Sequence, residues 1–213
     1  CPMDRWGIDC LLTGSQKGLM LPPGLALISL SERAWERAEQ TETGCFYFNL
    51  TEERAKIRQG QTQFTTPVNL IFGLEAALEL FRETGLEEIY RKQWALTRMA
   101  RTGVRAMGLT PFVADRCTWG LTSLLLPEGV DGKAVLDRIA SEYSVYMAGG
   151  QEHLKGRLVR IGHMGYMDWS DLLAGLSALH EVLSREIEIA SAPDFLEQAL
   201  TAYRSARREP LPT

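Results

Sequence analysis

The chain has 213 residues, 45% hydrophobic and 23% charged, and its 23 basic and 27 acidic side chains leave a net charge of −4. That composition belongs to a globular protein with material for a sizeable core, in one large or two small domains. It excludes the basic field of a nucleic-acid binder, and no apolar run reaches the ~18 residues of a membrane-spanning helix. The longest such run, 18–30, is broken by Pro22, Pro23 and Gly24.

The chain opens on Cys1-Pro2-Met3, with neither an initiator Met nor a charged-then-apolar signal segment, and reads as part of a longer protein. Cys1, Cys10, Cys45 and Cys117 form no CxxC pair and have no regular spacing. They suggest neither a disulfide framework nor a metal site, and read as reduced thiols of a cytoplasmic protein.

In chain order, residues 7–13 form a short apolar run that suits a buried strand, ending in Gly14-Ser15-Gln16-Lys17. After the Pro22-Pro23-Gly24 turn, residues 25–31 are again strand-like, and 32–40 read as a polar helix. Residues 41–66 are polar and irregular, with Phe46, Tyr47, Phe48 and Phe64 scattered through them, and a loop of that length is more often functional or interfacial than a plain connector. Pro67 opens a helix over 68–84 with Ile71, Leu74, Leu78 and Phe81 on one face, and Gly85 stops it. A longer helix over 86–107 aligns Ile89, Leu96, Ala100 and Gly103 and ends at Gly108.

Beyond Gly108 short apolar runs alternate with helices. Strands are predicted at 110–114, 121–126 and 158–161, and a helix at 133–143 with Val135, Ile139 and Tyr143 aligned. Ser170 is the expected N-cap of a helix whose Leu172, Leu176, Leu179 and Leu183 form an apolar face, and Pro193 is the expected start of a last helix. The expected organisation is a first unit over 1–85, a linking helix over 86–108 and an α+β domain over 109–213.

Lys17 stands where a buried strand is expected to end, before a Gly18–Gly24 segment too apolar for a free loop. Lysines are mostly exposed, but one desolvated there would offer the neutral amine that Schiff-base chemistry needs. Arg160 lies among Leu158, Val159, Ile161 and Gly162, where an unpaired charge is costly, which points it to a cleft. His163 is read as structural or cleft-lining, and His153 as a surface residue.

Three segments, TGSQKGLMLPPGLALISLS, QTQFTTPVNLIFGLEAALE and GGQEHLKGRLVRIGHMGYMD, occur in that order. In this the chain resembles the class V aminotransferases of the alanine-glyoxylate and serine-pyruvate type. The resemblance covers essentially the whole chain and implies the C-terminal portion of such an enzyme, an α/β protein of pyridoxal-phosphate-dependent transferase fold type I: the end of the large domain plus the small α+β domain. It implies that Lys17 forms the Schiff base with pyridoxal 5'-phosphate and that Gln16 hydrogen-bonds the cofactor phosphate. Thr65 would reach the phosphate of the other subunit's cofactor, implying a homodimer. Thr62 falls where several relatives carry a tyrosine with the same job, and a threonine reaches less far. Arg160 would receive the substrate α-carboxylate.

The reaction so implied moves an amino group from alanine or serine to glyoxylate or pyruvate, with no nucleic acid, membrane or metal involved. The ring-stacking aromatic, the aspartate for the ring nitrogen and the phosphate loop would precede residue 1. Alternatives are a non-catalytic fragment of such an enzyme and another class V pyridoxal-phosphate enzyme. A desulfurase needs a reactive cysteine on a flexible loop, and neither Cys45 nor Cys117 has the surroundings for one. Some relatives carry the label of a soluble hydrogenase subunit, a chemistry for which the cysteine spacing supplies no metal cluster.

Overall fold

Gly14, Gly73 and Gly150 each stand where a neighbouring group comes so close that a Cβ would meet it, and these contacts tie loops to regular elements in a computed structural model that describes residues 1–42 and 44–212. The chain divides into two compact units, Cys1–Leu80 and Phe81–Thr213.

The first unit opens with one helical turn, α1 (Met3–Trp6), closed by Gly7 in the left-handed region. Strands β1 (Cys10–Gly14) and β2 (Ala26–Leu30) then pair antiparallel, with Leu12 opposite Ile28. The strands form where the apolar runs predict them, yet this two-stranded sheet is not buried within its unit: Leu12 and Ile28 are exposed. A two-stranded ribbon has too little surface to enclose its own side chains.

Ser31 caps α2 (Glu32–Glu39) by accepting from the Ala34 amide, and its hydroxyl donates to Asp9 Oδ1 at 2.6 Å. The 41–66 segment contains a helix that the sequence reading missed, α3 (Leu50–Ile57), capped by Asn49, whose Oδ1 accepts from the Thr51 and Glu52 amides. An Asn followed by two acidic residues in the first turn was the available signal. Its Arg54 stacks over the Trp35 ring of α2 at 4.2 Å. Helix α4 (Val68–Thr84) follows, with the Pro67 carbonyl accepting from Leu70 and Ile71.

The second unit is built on α5 (Leu86–Ala106), whose Leu96, Met99, Ala100, Gly103 and Val104 are buried. Strands β3 (Leu121–Leu125), β4 (Ala148–Gly149) and β5 (Leu158–Gly162) form an antiparallel sheet in the order β3-β5-β4. The strand expected at 110–114 reduces to one bridge between Pro111 and Leu124, because Pro111 lacks the amide for a continuing ladder. Helices α6 (Gly132–Tyr143), α7 (Trp169–Glu186) and α8 (Phe195–Ala206) complete the unit.

The N-cap of α7 is Asp168, not Ser170: Asp168 and Asp171 form a reciprocal capping box that starts the helix one residue before Ser170. The last helix begins at Phe195, two residues after Pro193. Leu172, Leu176, Leu179 and Leu183 of α7 are fully buried, each contributing roughly 2 kcal/mol by leaving water. At Gly103 an added Cβ would lie 2.7 Å from Leu176 Cδ1 and 3.3 Å from the Ala199 Cβ, so the glycine lets α5, α7 and α8 approach closely.

The turn between β4 and β5 depends on Gly150, where a Cβ would stand 2.2 Å from the Leu154 carbonyl oxygen. Backbone cannot yield there as a side chain could. Gly150→Ala is expected to lower stability by roughly 1–3 kcal/mol, read from the urea midpoint at unchanged slope; a wild-type midpoint would contradict this packing.

Candidate functional site

In the first unit, residues 15–25 connect the two strands, and Ser15 is their anchor. Its side chain is 0% exposed; Oγ donates to the Pro22 carbonyl at 2.7 Å and accepts from the Leu25 amide at 3.2 Å. Its backbone amide donates to the Leu25 carbonyl, and its carbonyl accepts from the Leu21 amide, both at 3.1 Å. Four hydrogen bonds on one residue close the loop at its base.

Leu21 turns inward so that a Cβ on Gly73 of α4 would sit 3.1 Å from its Cδ2. The Lys17 carbonyl accepts from the Met20 amide at 3.0 Å, and Met20 takes a left-handed φ of 65° to make the turn. Lys17 therefore sits at the tip of a loop fixed at both ends. Its side chain is exposed. No hydrogen bond or ion pair engages its amine among the described residues.

Gln16 is exposed, and its side chain folds back so that its Oε1 would lie 2.6 Å from a Cβ on Gly14. The 62–66 segment is shaped by its own hydroxyls. Thr62 Oγ1 donates to the Phe64 carbonyl at 2.7 Å and accepts from Thr66 Oγ1 at 2.9 Å. Thr65 is exposed, two residues before the Pro67 carbonyl that accepts from the Leu70 and Ile71 amides. Upstream, Tyr47 stacks on Phe64 at 4.2 Å, while Phe46 and Phe48 are 84% exposed.

In the second unit, β5 uses its two faces differently. Val159 and Ile161 point into the core, paired with buried Leu124 and Thr122. Arg160 lies on the opposite face between Ser123 and Ala148, two small residues that leave a guanidinium room. Its Nε donates to the Gly149 carbonyl at 2.8 Å, and no other partner meets its terminal nitrogens among the described residues. Arg160 is half-buried, with one edge of its fork tied down and the other offered outward.

His163, one residue past β5, is wholly buried and structural. Its Nε2 lies 2.9 Å from Thr122 Oγ1, and Gln93 of α5 donates to its carbonyl at 2.8 Å and also to the Trp119 carbonyl. The buried Thr97 hydroxyl donates to that same Trp119 carbonyl at 2.6 Å. Burial pushes the His163 ring down from 6.5 to about 4. His153 is exposed, as expected.

Sequence reasoning passed over Ser15, Gln93 and Thr122, because a lone Ser, Gln or Thr carries no periodic signal. Ser15→Ala is expected to leave the Leu25 amide without its partner, and amide hydrogen exchange at Leu25 and Leu21 should accelerate by roughly tenfold or more. Unchanged protection would contradict the anchoring role. For His163, the unfolded chain takes up a proton near pH 6.5 while the folded chain resists until about pH 4. Its contribution is therefore complete above pH 6.5 and is lost as pH falls towards 4, by about 3 kcal/mol in all. His163→Gln should flatten that part of the stability profile, and an identical slope in the variant would count against it.

The Aminotransferase class-V family model matches residues 1–170. The chain is 39% identical over 183 residues to a soluble hydrogenase small subunit of a Synechococcus strain, covering 86% of this chain and 48% of that relative. It is 33% identical to a serine–glyoxylate aminotransferase of Methylorubrum extorquens, covering 82% and 45%. The solved structure of ureidoglycine–glyoxylate aminotransferase from Bacillus subtilis matches with a TM-score of 0.83 at 30% identity, over 95% of this chain and 54% of that one. The chain spans about half the length of the curated relatives it matches. With its Lys17 loop and Arg160 strand inside the matched stretch, the chain belongs to the class V aminotransferases, with the type I fold of the pyridoxal-phosphate-dependent transferases.

Proposed function

We propose that the whole protein is a pyridoxal-phosphate-dependent aminotransferase that moves an amino group from a small amino acid of the alanine or serine type to a small 2-oxo acid of the glyoxylate or pyruvate type. The observation that carries this reading is the Lys17 amine, without a partner among the described residues and presented on a turn held by buried Ser15. The family implies pyridoxal phosphate, and the residues present fit it. An aldehyde needs a primary amine free to condense, and a phosphate needs hydroxyl and amide donors such as Thr65 and Gln16. Bound there, the cofactor supplies an electron-withdrawing ring that makes the substrate α-proton removable.

The chain's own residues do the rest. With the cofactor bound, the Lys17 amine would take the proton from the substrate α-carbon as a general base and, once protonated, give it back as a general acid. Its fixed backbone limits where that amine goes, while its exposed side chain leaves it free to swing. Arg160 binds the substrate α-carboxylate through its free edge, and Gly149 fixes the plane of the fork. Gln16 and Thr65 offer donors to the phosphate, whereas the Thr62 hydroxyl is committed to the turn that carries Thr65.

The small-substrate reading follows the glyoxylate aminotransferases among the relatives. The exposed Phe46 and Phe48 beside Thr65 support a homodimer in which this segment meets the second subunit. The four free thiols support a cytoplasmic location.

In the full-length protein, Lys17→Ala should abolish the amino-acid half-reaction, and Arg160→Ala should raise the KM for the amino acid by roughly 10²-fold with little change in cofactor affinity. Half-reaction rates and cofactor titration measure both. Turnover by the Lys17 variant, or equal loss of substrate and cofactor binding on changing Arg160, would overturn the assignment.

A further inference from the structure

The second unit holds a cavity of about 460 Å³ between α5 and the loop that leads to β3. Four arginines line it. Arg98, Arg101 and Arg105 are spaced three and four residues apart, so they follow one face of α5, and Arg116 comes from the facing loop. Only one carboxylate, Asp115, lies among them. None of the four is in an ion pair among the described residues, although Arg33, Arg91, Arg138, Arg185 and Arg207 all are. In a chain of net charge −4, four unpaired guanidinium groups around one hollow make a local field of the opposite sign.

Arg98, Arg105 and Arg116 are exposed at its mouth, while Arg101 fixes one wall. Arg101 is 8% exposed, and its Nη2 donates to the Val113 carbonyl at 2.8 Å and to the Ala114 carbonyl, which pins the loop against the helix. Arg98 lies over the Trp94 ring at 5.7 Å, and Trp94 packs on Trp119 with ring centroids 5.1 Å apart. The Trp119 carbonyl is held by Thr97 and Gln93. The hollow thus combines an apolar aromatic wall with several forked donors on a supported frame, the usual make-up of a small-ligand site.

We propose that this cavity binds a small organic polyanion, a phosphate ester or a polycarboxylate, through side chains other than those assigned to the transamination chemistry. The volume falls within the range of small-molecule pockets. Guanidinium forks match carboxylate and phosphate oxygens two at a time, and a ligand with two or more charges engages several arginines at once. The tryptophan pair receives the ligand's carbon portion.

The test is calorimetric titration of the full-length, cofactor-loaded protein with pyrophosphate and with citrate, at constant ionic strength in potassium chloride. Saturable binding of at least one probe is expected. Arg105→Gln and Arg116→Gln should each weaken it by roughly tenfold, while Arg138→Gln, outside the cavity, should not. Arg101 is left intact because it holds the loop. Preference for pyrophosphate would assign phosphate esters, and preference for citrate would assign polycarboxylates. Absence of saturable binding, or equal weakening by Arg138→Gln, would overturn the proposal. So would protection of Arg105 and Arg116 from an arginine-directed reagent without added ligand, because a segment of the protein itself would then fill the cavity.

Discussion

The Ser15 hydroxyl sets the course of the chain around Lys17. One buried oxygen serves the carbonyl of Pro22 and the amide of Leu25, while the backbone of the same residue pairs with Leu21 and Leu25. Without such a hub, eleven residues holding Pro22, Pro23 and two glycines would have many closures and no reason to prefer one. With it, the loop closes at its base, Leu21 turns towards Gly73 of α4, and Lys17 is left at the tip. A small polar side chain suits this position because an apolar one would leave buried backbone groups unpaired.

The second unit shows the same economy on one strand. Alternation along β5 sends Val159 and Ile161 into the helices and Arg160 to the other face. At the strand's end, His163 joins Thr122 of β3 and Gln93 of α5 in a buried polar cluster that fixes the sheet to its longest helix. The ring stays neutral because burial penalises its charge, which suits a residue whose work is to hold position. On the far side, Gly150 keeps the turn tight enough for the Gly149 carbonyl to meet Arg160. Arg160 is thus oriented by a backbone carbonyl of the neighbouring strand.

Much of this was legible in the sequence. The leucines of α7 and the stripe from Leu96 to Gly103 on α5 gave long periodic signals, and the structure buries them as expected. Lys17 and Arg160 stood out through motifs, because GSQK before PPG and RIGHMG carry more information than composition. Other features depend on single contacts that periodicity does not register. Helix α3 has eight residues and no apolar face, so only its Asn49 cap marked it. The 110–114 run looked like a strand, but Pro111 and the two carbonyls drawn to Arg101 turn it into the wall of a cavity.

The central claim is that Lys17 is the residue that holds pyridoxal phosphate. Borohydride reduction of the cofactor-loaded, full-length protein, followed by proteolysis and mass spectrometry, addresses it directly. A single phosphopyridoxyl adduct is expected, on the peptide containing Lys17. An adduct on another lysine, or none in a protein that binds the cofactor, would contradict it.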